Sequence, residues 1–351
     1  MDSAALPTAP VPGLDLPAVL GWLEGTAPGL LGPGTAASLI AGGRSNLTYL
    51  LDDGERRVVL RRPPLGHVLA TAHDMSREHR MISALAQTPV PVPEAVAFCS
   101  DERVTGAPFY VMAHVDGRVI RATGDLVDVA PDGRRRLADA MVGVLVDLHD
   151  VDYEAVGLGG FGRPEGFMAR QLKRWSAQLD ASRSRELPGI DLLRDRLAEA
   201  LPPSRAVAIV HGDYRLDNLV VAGPGEADEF AVRAVLDWEM ATIGDPLSDL
   251  GLLLAYWDVL SAMDNPIVGT VGPHSGFPDG HTLIEWYAAR RDVDVSALPW
   301  YLAFGLFKLA VILEGIHYRF QAGQTVGDGF DRIGLVVSPL VEAGRDTLAS
   351  M

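Results

Sequence analysis

The run HGDYRLDNLVV at residues 211–221, followed from residue 234 by AVLDWEMATIGDPLSDLG, constrains this chain more than any other part of it. Asp213 and Asn218 precede a short apolar stretch at 219–222, and Asp237 closes a second one at 230–236. Runs this short, with Gly223, Pro224 and Gly225 between them, read as two strands of a hairpin. A hairpin of that kind carries a carboxylate and an amide just before its first strand and another carboxylate at the end of its second.

That arrangement suits phosphoryl transfer from Mg-ATP, where a protein positions an acceptor hydroxyl and holds metal against the β- and γ-oxygens. Asp213 is suited to take the hydroxyl proton. Asn218 and Asp237 offer the amide and carboxylate oxygens that hard Mg2+ prefers. Zinc is disfavoured, because no second His or Cys lies at ligand spacing from His211. The pattern resembles the aminoglycoside phosphotransferase family, kinase-like enzymes with an H-x-D-x-x-x-x-N loop and a following I/L-D-W-E segment. The resemblance implies Asp213 as catalytic base, Asn218 and Asp237 as magnesium ligands, and His211 as a structural anchor of the loop. It implies that Asp249 caps the loop amides from a buried helix.

An ATP-binding lobe is then expected upstream. Residues 35–41, 47–51 and 57–62 read as strands, with Asp52, Asp53 and Gly54 turning between the last two. The turn at 41–46 lacks a G-x-G-x-x-G signature. Ser45 and Asn46 in it are candidates for phosphate contact through backbone N–H groups, since the resembling family uses a Ser/Asn-containing loop. Period-two alternation puts Val59, facing adenine, on the same strand face as Arg61. Arg61 stands in place of the usual kinase lysine, and whether it or Arg62 reaches phosphate is left open by the sequence. The segment 75–85 has helical apolar spacing and carries Glu78, which by resemblance pairs with Arg61. Residues 109–112 form an apolar strand ending in a hinge, Met112 to Gly117, where the Ala113 C=O and Val115 N–H would read the adenine edge and His114 would face solvent.

An extra helix is expected at 14–24. Beyond the hinge, helical periodicity covers 131–149, 164–182, 188–200, 246–258, 280–291, 297–322 and 329–348. The expected fold is α+β, a bilobal protein-kinase-like architecture: residues 1–12 disordered, 13–115 an antiparallel sheet with a helix, and 116–351 mostly helical. No apolar run is read as reaching the ~18–20 residues of a membrane span. One cysteine, Cys99, allows no internal disulfide, and the cytoplasm is the expected compartment. A net charge of −16 argues against a nucleic-acid partner. The oligomeric state is not legible.

The acceptor is expected to be a small-molecule hydroxyl, and Trp175, Tyr256, Trp257, Trp286, Trp300, Tyr301, Glu314 and His317 are candidates to line its pocket. The segment VLRRPPLGHVLATAHDMSREHRM resembles the phosphotransferase-like domains fused to some acyl-CoA dehydrogenases more closely than it resembles resistance enzymes. That resemblance favours a hydroxyacyl-CoA or another metabolic hydroxyl over an aminoglycoside. A catalytically inactive, kinase-like nucleotide-binding protein and a protein kinase are the alternatives. The former usually lacks the base or a metal ligand, and DPLSDLG follows Asp237 too soon for a long activation loop.

Overall fold

The Asp52–Asp53–Gly54 turn shows how locally the first sheet is written. Asp52 Oδ1 accepts from Gly54 N at 2.7 Å and Asp53 Oδ1 from Glu55 N at 2.9 Å, so the side chains satisfy the turn amides and the flanking strands pair in register, Asp52 opposite Arg57. In a computed structural model the described residues are 11–40, 46–65, 74–263, 271–323 and 330–351. The chain divides into two units, 1–116 with 234–239, and 117–233 with 240–351.

The first unit holds α1 (Leu16–Thr26), β1 (Ala36–Leu39), β2 (Leu47–Asp52), β3 (Arg57–Arg62), α2 (Met75–Leu85), β4 (Ala95–Cys99), α3 (Glu102–Thr105) and β5 (Phe109–Ala113). The strands form an antiparallel sheet in the order β1-β2-β3-β5-β4. Alternation sends Tyr49, Leu51, Val58, Leu60, Phe109 and Val111 into one core with Val19 and Leu23 of α1. Helix α1 is capped by Asp15, which accepts from Ala18 N at 3.1 Å, and it begins two residues later than expected. On α2, Met81, Ile82 and Leu85 are buried, and that helix packs on β4 and β5. Strand β4 has no counterpart in the expected elements, its run AVAFC being short and half alanine-like in character. The strand expected at 35–41 is observed only as Ala36–Leu39.

The first unit ends at Asp116 and also takes in residues 234–239. The reason is local bonding: Val235 N donates to Pro91 O at 2.8 Å, and Asp237 and Glu239 accept from Arg61 and Asn46.

The second unit contains α4 (Pro131–Asp150), α5 (Phe167–Ser182), α6 (Ile190–Glu199), β6 (Ala208–Val210), β7 (Leu219–Val221), β8 (Val232–Val235), β9 (Thr242–Gly244), α7 (Leu247–Leu254), α8 (Gly280–Arg291), α9 (Leu298–Gln321) and α10 (Val337–Ala349). The chain passes from the second unit to the first within β8. Strand β8 is shorter than the expected 230–236 because Phe230 and Asp237 both take left-handed backbone, at φ 67 and 66. Strands β6 and β9 pair antiparallel, Ala208 opposite Gly244. After α7 the chain widens into a π-helical turn at Ala255–Val259, so the single helix expected at 246–258 is two kinds of helix.

Helix α9 overturns one expectation: by length and composition it is apolar enough to cross a membrane. Its apolar faces are instead covered by α5, α6, α7 and α10, and 78% of the apolar window is buried. Each fully buried Leu or Phe contributes about 1.5–3 kcal/mol. A helix that buries Leu306, Phe307, Leu309 and Leu313 can therefore also carry the buried Lys308 and Glu314.

Helix α7 approaches α9 through Gly251, where an added Cβ would lie 2.5 Å from the Tyr301 carbonyl carbon. Gly251→Val is predicted to destabilise the fold by about 1–3 kcal/mol through overpacking against that backbone. Urea denaturation measures it, and an unchanged midpoint would mean that the two helices can separate freely.

Candidate active site

In the first unit, the face of β3 opposite the α1 core carries Val59 and Arg61. Val59 is buried and lies opposite Met112 on β5. Arg61 Nε lies 3.3 Å from Glu78 Oε2, and the outer guanidinium nitrogen bonds the Asp237 carboxylate. Burial opposes the Arg61 charge, while Asp237 and Glu78 hold its pKa above the ordinary value. The Glu78 carboxyl is pushed up to about 6 by burial, which Arg61 only partly offsets. Glu78 is further held by Tyr110 Oη at 3.0 Å and by Asn46 Nδ2 at 3.1 Å.

Period two separates the two arginines that the sequence left undecided. Arg62 points the other way and donates to Gly13 O, and to Thr105 O at 2.7 Å. Among the described residues its guanidinium is engaged by backbone carbonyls and by no carboxylate. Asn46, expected to act through its backbone, has a buried side-chain amide that bridges Glu78 and Glu239. Ser45 and the turn 41–45 lie outside the described residues. At the hinge, Ala113 N donates to Glu94 O at 2.9 Å and His114 N to Arg57 O at 3.2 Å. His114 is half-buried beside Asp116, 3.5 Å away, and is not the solvent-facing side chain expected. Val115 follows directly in chain.

In the second unit, everything turns on the loop between β6 and β7. Asp249, fully buried on α7, accepts from His211 N at 2.7 Å and from Gly212 N at 2.8 Å. Burial alone would raise that carboxyl, but hydrogen bonds from His149 and the loop bring it below the ordinary value. His211 Nδ1 accepts from Asp213 N at 3.2 Å, which closes the turn. Asn218 Nδ2 reaches back to Asp213 O at 2.9 Å and Asp213 Oδ2 at 3.2 Å. The amide nitrogen is thereby committed, and the oxygen is the remaining ligand atom of Asn218.

Gly212 is required by this geometry. Its φ is 82, and a Cβ there would come 2.8 Å from Met240 O. Arg215 is paired with Asp217 and stacks 4.5 Å over the Tyr256 ring. Burial raises the Tyr256 phenol, and the nearby Asp213 charge adds to that shift while Arg215 opposes it. A small pocket beside them is lined by Ile120, Arg215, Leu253, Tyr256, Trp257 and Val271.

Several residues expected around an acceptor belong to the core instead. Trp300 Nε1 donates to Leu197 O and Tyr301 Oη to Asp245, while Glu314 accepts from Ser184 and Arg185. Of the expected set, Tyr256 and Trp257 line the pocket. Trp286 lies under the Arg135 guanidinium, and His317 is packed against Gly334. Four contributors escaped the sequence: His149, Arg215, Glu239 and Lys308. Only Lys308 left a signal, as a lone cation within the apolar run FGLFKLAVIL. Among the described residues no cluster of three or more His, Cys, Asp or Glu side chains could hold a metal alone.

The phosphotransferase enzyme family model matches residues 36–264. A solved Ralstonia eutropha protein provisionally named an aminoglycoside phosphotransferase is 33% identical, covers 96% of this chain and 98% of its own, and superposes with a TM-score of 0.80. The streptomycin–ATP complex of APH(2'')-IIa shares the fold at 15% identity and a TM-score of 0.58, over 93% of this chain and 98% of its own. Human acyl-CoA dehydrogenase family member 11 is 35% identical over 308 residues, 86% of this chain and 38% of that protein. The mouse family member 10 is 34% identical over 310 residues, 87% of this chain and 28% of that protein. The chain thus spans less than half the length of these curated relatives.

His149 joins Asp249 to Tyr287, with Nε2 3.2 Å from Asp249 and Nδ1 2.7 Å from the phenol. Burial lowers its pKa. Below about pH 6.5 an unfolded chain protonates this histidine while the native state resists, so native stability is predicted to fall as pH drops through that range. His149→Gln should flatten the dependence of stability on pH between 7.5 and 5.5; equal slopes would show that this imidazole titrates alike in the native and unfolded states.

Proposed function

Because the chain belongs to the phosphotransferase enzyme family, we propose that it moves the γ-phosphate of ATP to a hydroxyl of a small metabolite. The observation that carries this is the bonded loop from His211 to Asn218, which holds a carboxylate at Asp213 by its own backbone and by Asn218. Asp213 accepts the acceptor's proton as the hydroxyl oxygen attacks, and Asn218 Nδ2 orients the carboxylate from 3.2 Å. Asn218 through its amide oxygen and Asp237 through its carboxylate would hold Mg2+, hard oxygen donors of the kind that ion takes. That ion, when bound there, would supply charge neutralisation for the nucleotide phosphates.

Arg61 is the cation proposed to meet the nucleotide phosphates, held in direction by Glu78. Guanidinium is permanently charged and presents a planar donor fork, so it can replace an ammonium in that role. The left-handed backbone of Asp237 supports a role in the site, because strain of about 1–3 kcal/mol at a non-glycine residue persists only where its surroundings enforce it. For the acceptor, a hydroxylated acyl-CoA or a related metabolic hydroxyl is proposed over an aminoglycoside. A polycationic acceptor would call for several unpaired carboxylates. The acyl-CoA dehydrogenase names of the relatives point the same way.

The deciding assay is ATP turnover with magnesium and a panel of hydroxyacyl-CoAs, simple alcohols and aminoglycosides. Failure to phosphorylate any acceptor, water included, rejects the function. Asp213→Asn is predicted to lower kcat by about 10²–10⁴-fold while ATP affinity holds, since the base meets the acceptor and not the nucleotide. Asp237→Ala should weaken Mg-ATP binding, and unchanged metal dependence would count against its ligand role. Arg61→Met should lose nucleotide affinity. Arg62→Met should keep it but cost about 1–3 kcal/mol of stability by leaving two partly buried carbonyls without their donor; the reverse outcome would exchange the two roles.

A further inference from the structure

Lys308 sits in the middle of α9, 7% exposed, among apolar neighbours. A buried ammonium must find partners or lose its charge. Its Nζ donates to Gly212 O at 2.7 Å and lies 5.4 Å from the centre of the Trp175 ring. Taken with the Asp249 contacts, this fixes Gly212 from both ends. The Gly212 N–H is held by Asp249 and its C=O by Lys308. The two peptide planes that meet at this glycine are therefore both anchored, on α7 and on α9, and the second of them leads directly into Asp213.

We propose that Lys308 is a positioning residue for the Asp213 carboxylate, acting by holding the Gly212 carbonyl from the core side while Asp249 holds the Gly212 amide. The role rests on the phosphotransferase function proposed above. Without the ammonium, the Gly212–Asp213 peptide keeps only the 3.2 Å bond from Asp213 N to His211 Nδ1, and its carbonyl loses its anchor on α9. Trp175 supplies a π face where a carboxylate would over-neutralise the cation, so the hydrogen bond to Gly212 stays charge-assisted. Burial lowers the Lys308 pKa, and the nearby Asp213 and Asp249 charges oppose that shift. Nothing in this role requires Lys308 to touch substrate.

The test uses the full chain and three readouts. Lys308→Met, an apolar chain of similar length, should lower kcat by about 10–100-fold with KM for ATP nearly unchanged, the signature of a displaced base rather than a damaged nucleotide site. Native-state hydrogen exchange at the His211, Gly212 and Asp213 amides should accelerate in the same variant. Lys308→Ala should recover kcat saturably with added ethylammonium and not with tetramethylammonium, which cannot donate. Unchanged kcat, unchanged exchange or indifference to ethylammonium each overturns the role. If Lys308→Met does not fold, the amine titration of Lys308→Ala decides alone, and absence of recovery counts against it. A wild-type protein that phosphorylates no acceptor removes the phosphotransferase function, whereas the exchange comparison still decides whether Lys308 holds the loop.

Discussion

A buried carboxylate that accepts two backbone amides organises the second unit. Asp249 is completely enclosed, and leaving it charged there would be costly unless its oxygens were filled. They are filled by His211 N, Gly212 N and His149 Nε2, so a desolvation penalty becomes a reason for the loop to adopt one conformation. The ordering continues outward from His149 through Tyr287 to Arg291, which meets Asp150 at 2.7 Å. The loop is positioned by the core and does not depend on its own short sequence for stiffness.

The first unit solves a related problem with charge. Arg61 is buried, though less completely than Asp249, and it lies between Glu78 and Asp237. Arg61 and Glu78 are buried and depend on their partners, because removing one leaves a charge uncompensated. Glu78 in turn gathers Tyr110 and Asn46, and Asn46 gathers Glu239. This network is what draws residues 234–239 to the first unit although the chain reaches them from the second.

Much of the fold was legible because its signals are local. The Asp52–Gly54 turn, the 75–85 helix and the strand at 57–62 appear at the expected positions, since turn chemistry and periodicity depend only on near neighbours. The spacing of His211, Asp213, Asn218 and Asp237 named the family for the same reason. What was lost follows a pattern. Strand β4 was missed because a five-residue run with two alanines carries little β signal, and its partner β5 supplies the missing half of the ladder. Trp300, Tyr301 and Glu314 were drawn toward an acceptor pocket because composition cannot tell a core aromatic from a ligand-facing one.

The amino-acid sequence by itself determined the alternation that separates Arg61 from Arg62, the order of oxygen-bearing groups around the hairpin, and the apolar stripes of the helices. These are one-dimensional properties, and a period of two or 3.6 survives any later packing. Tertiary structure alone decided that His149 serves Asp249 from 100 residues away and that Lys308 grips Gly212 from 96 residues away. It also decided that an α9 apolar enough for a membrane is a core helix. The physical reason is that buried charge and polar groups are tolerated only where distant segments bring the matching donor or acceptor, and no local window of sequence contains both halves of such a pair.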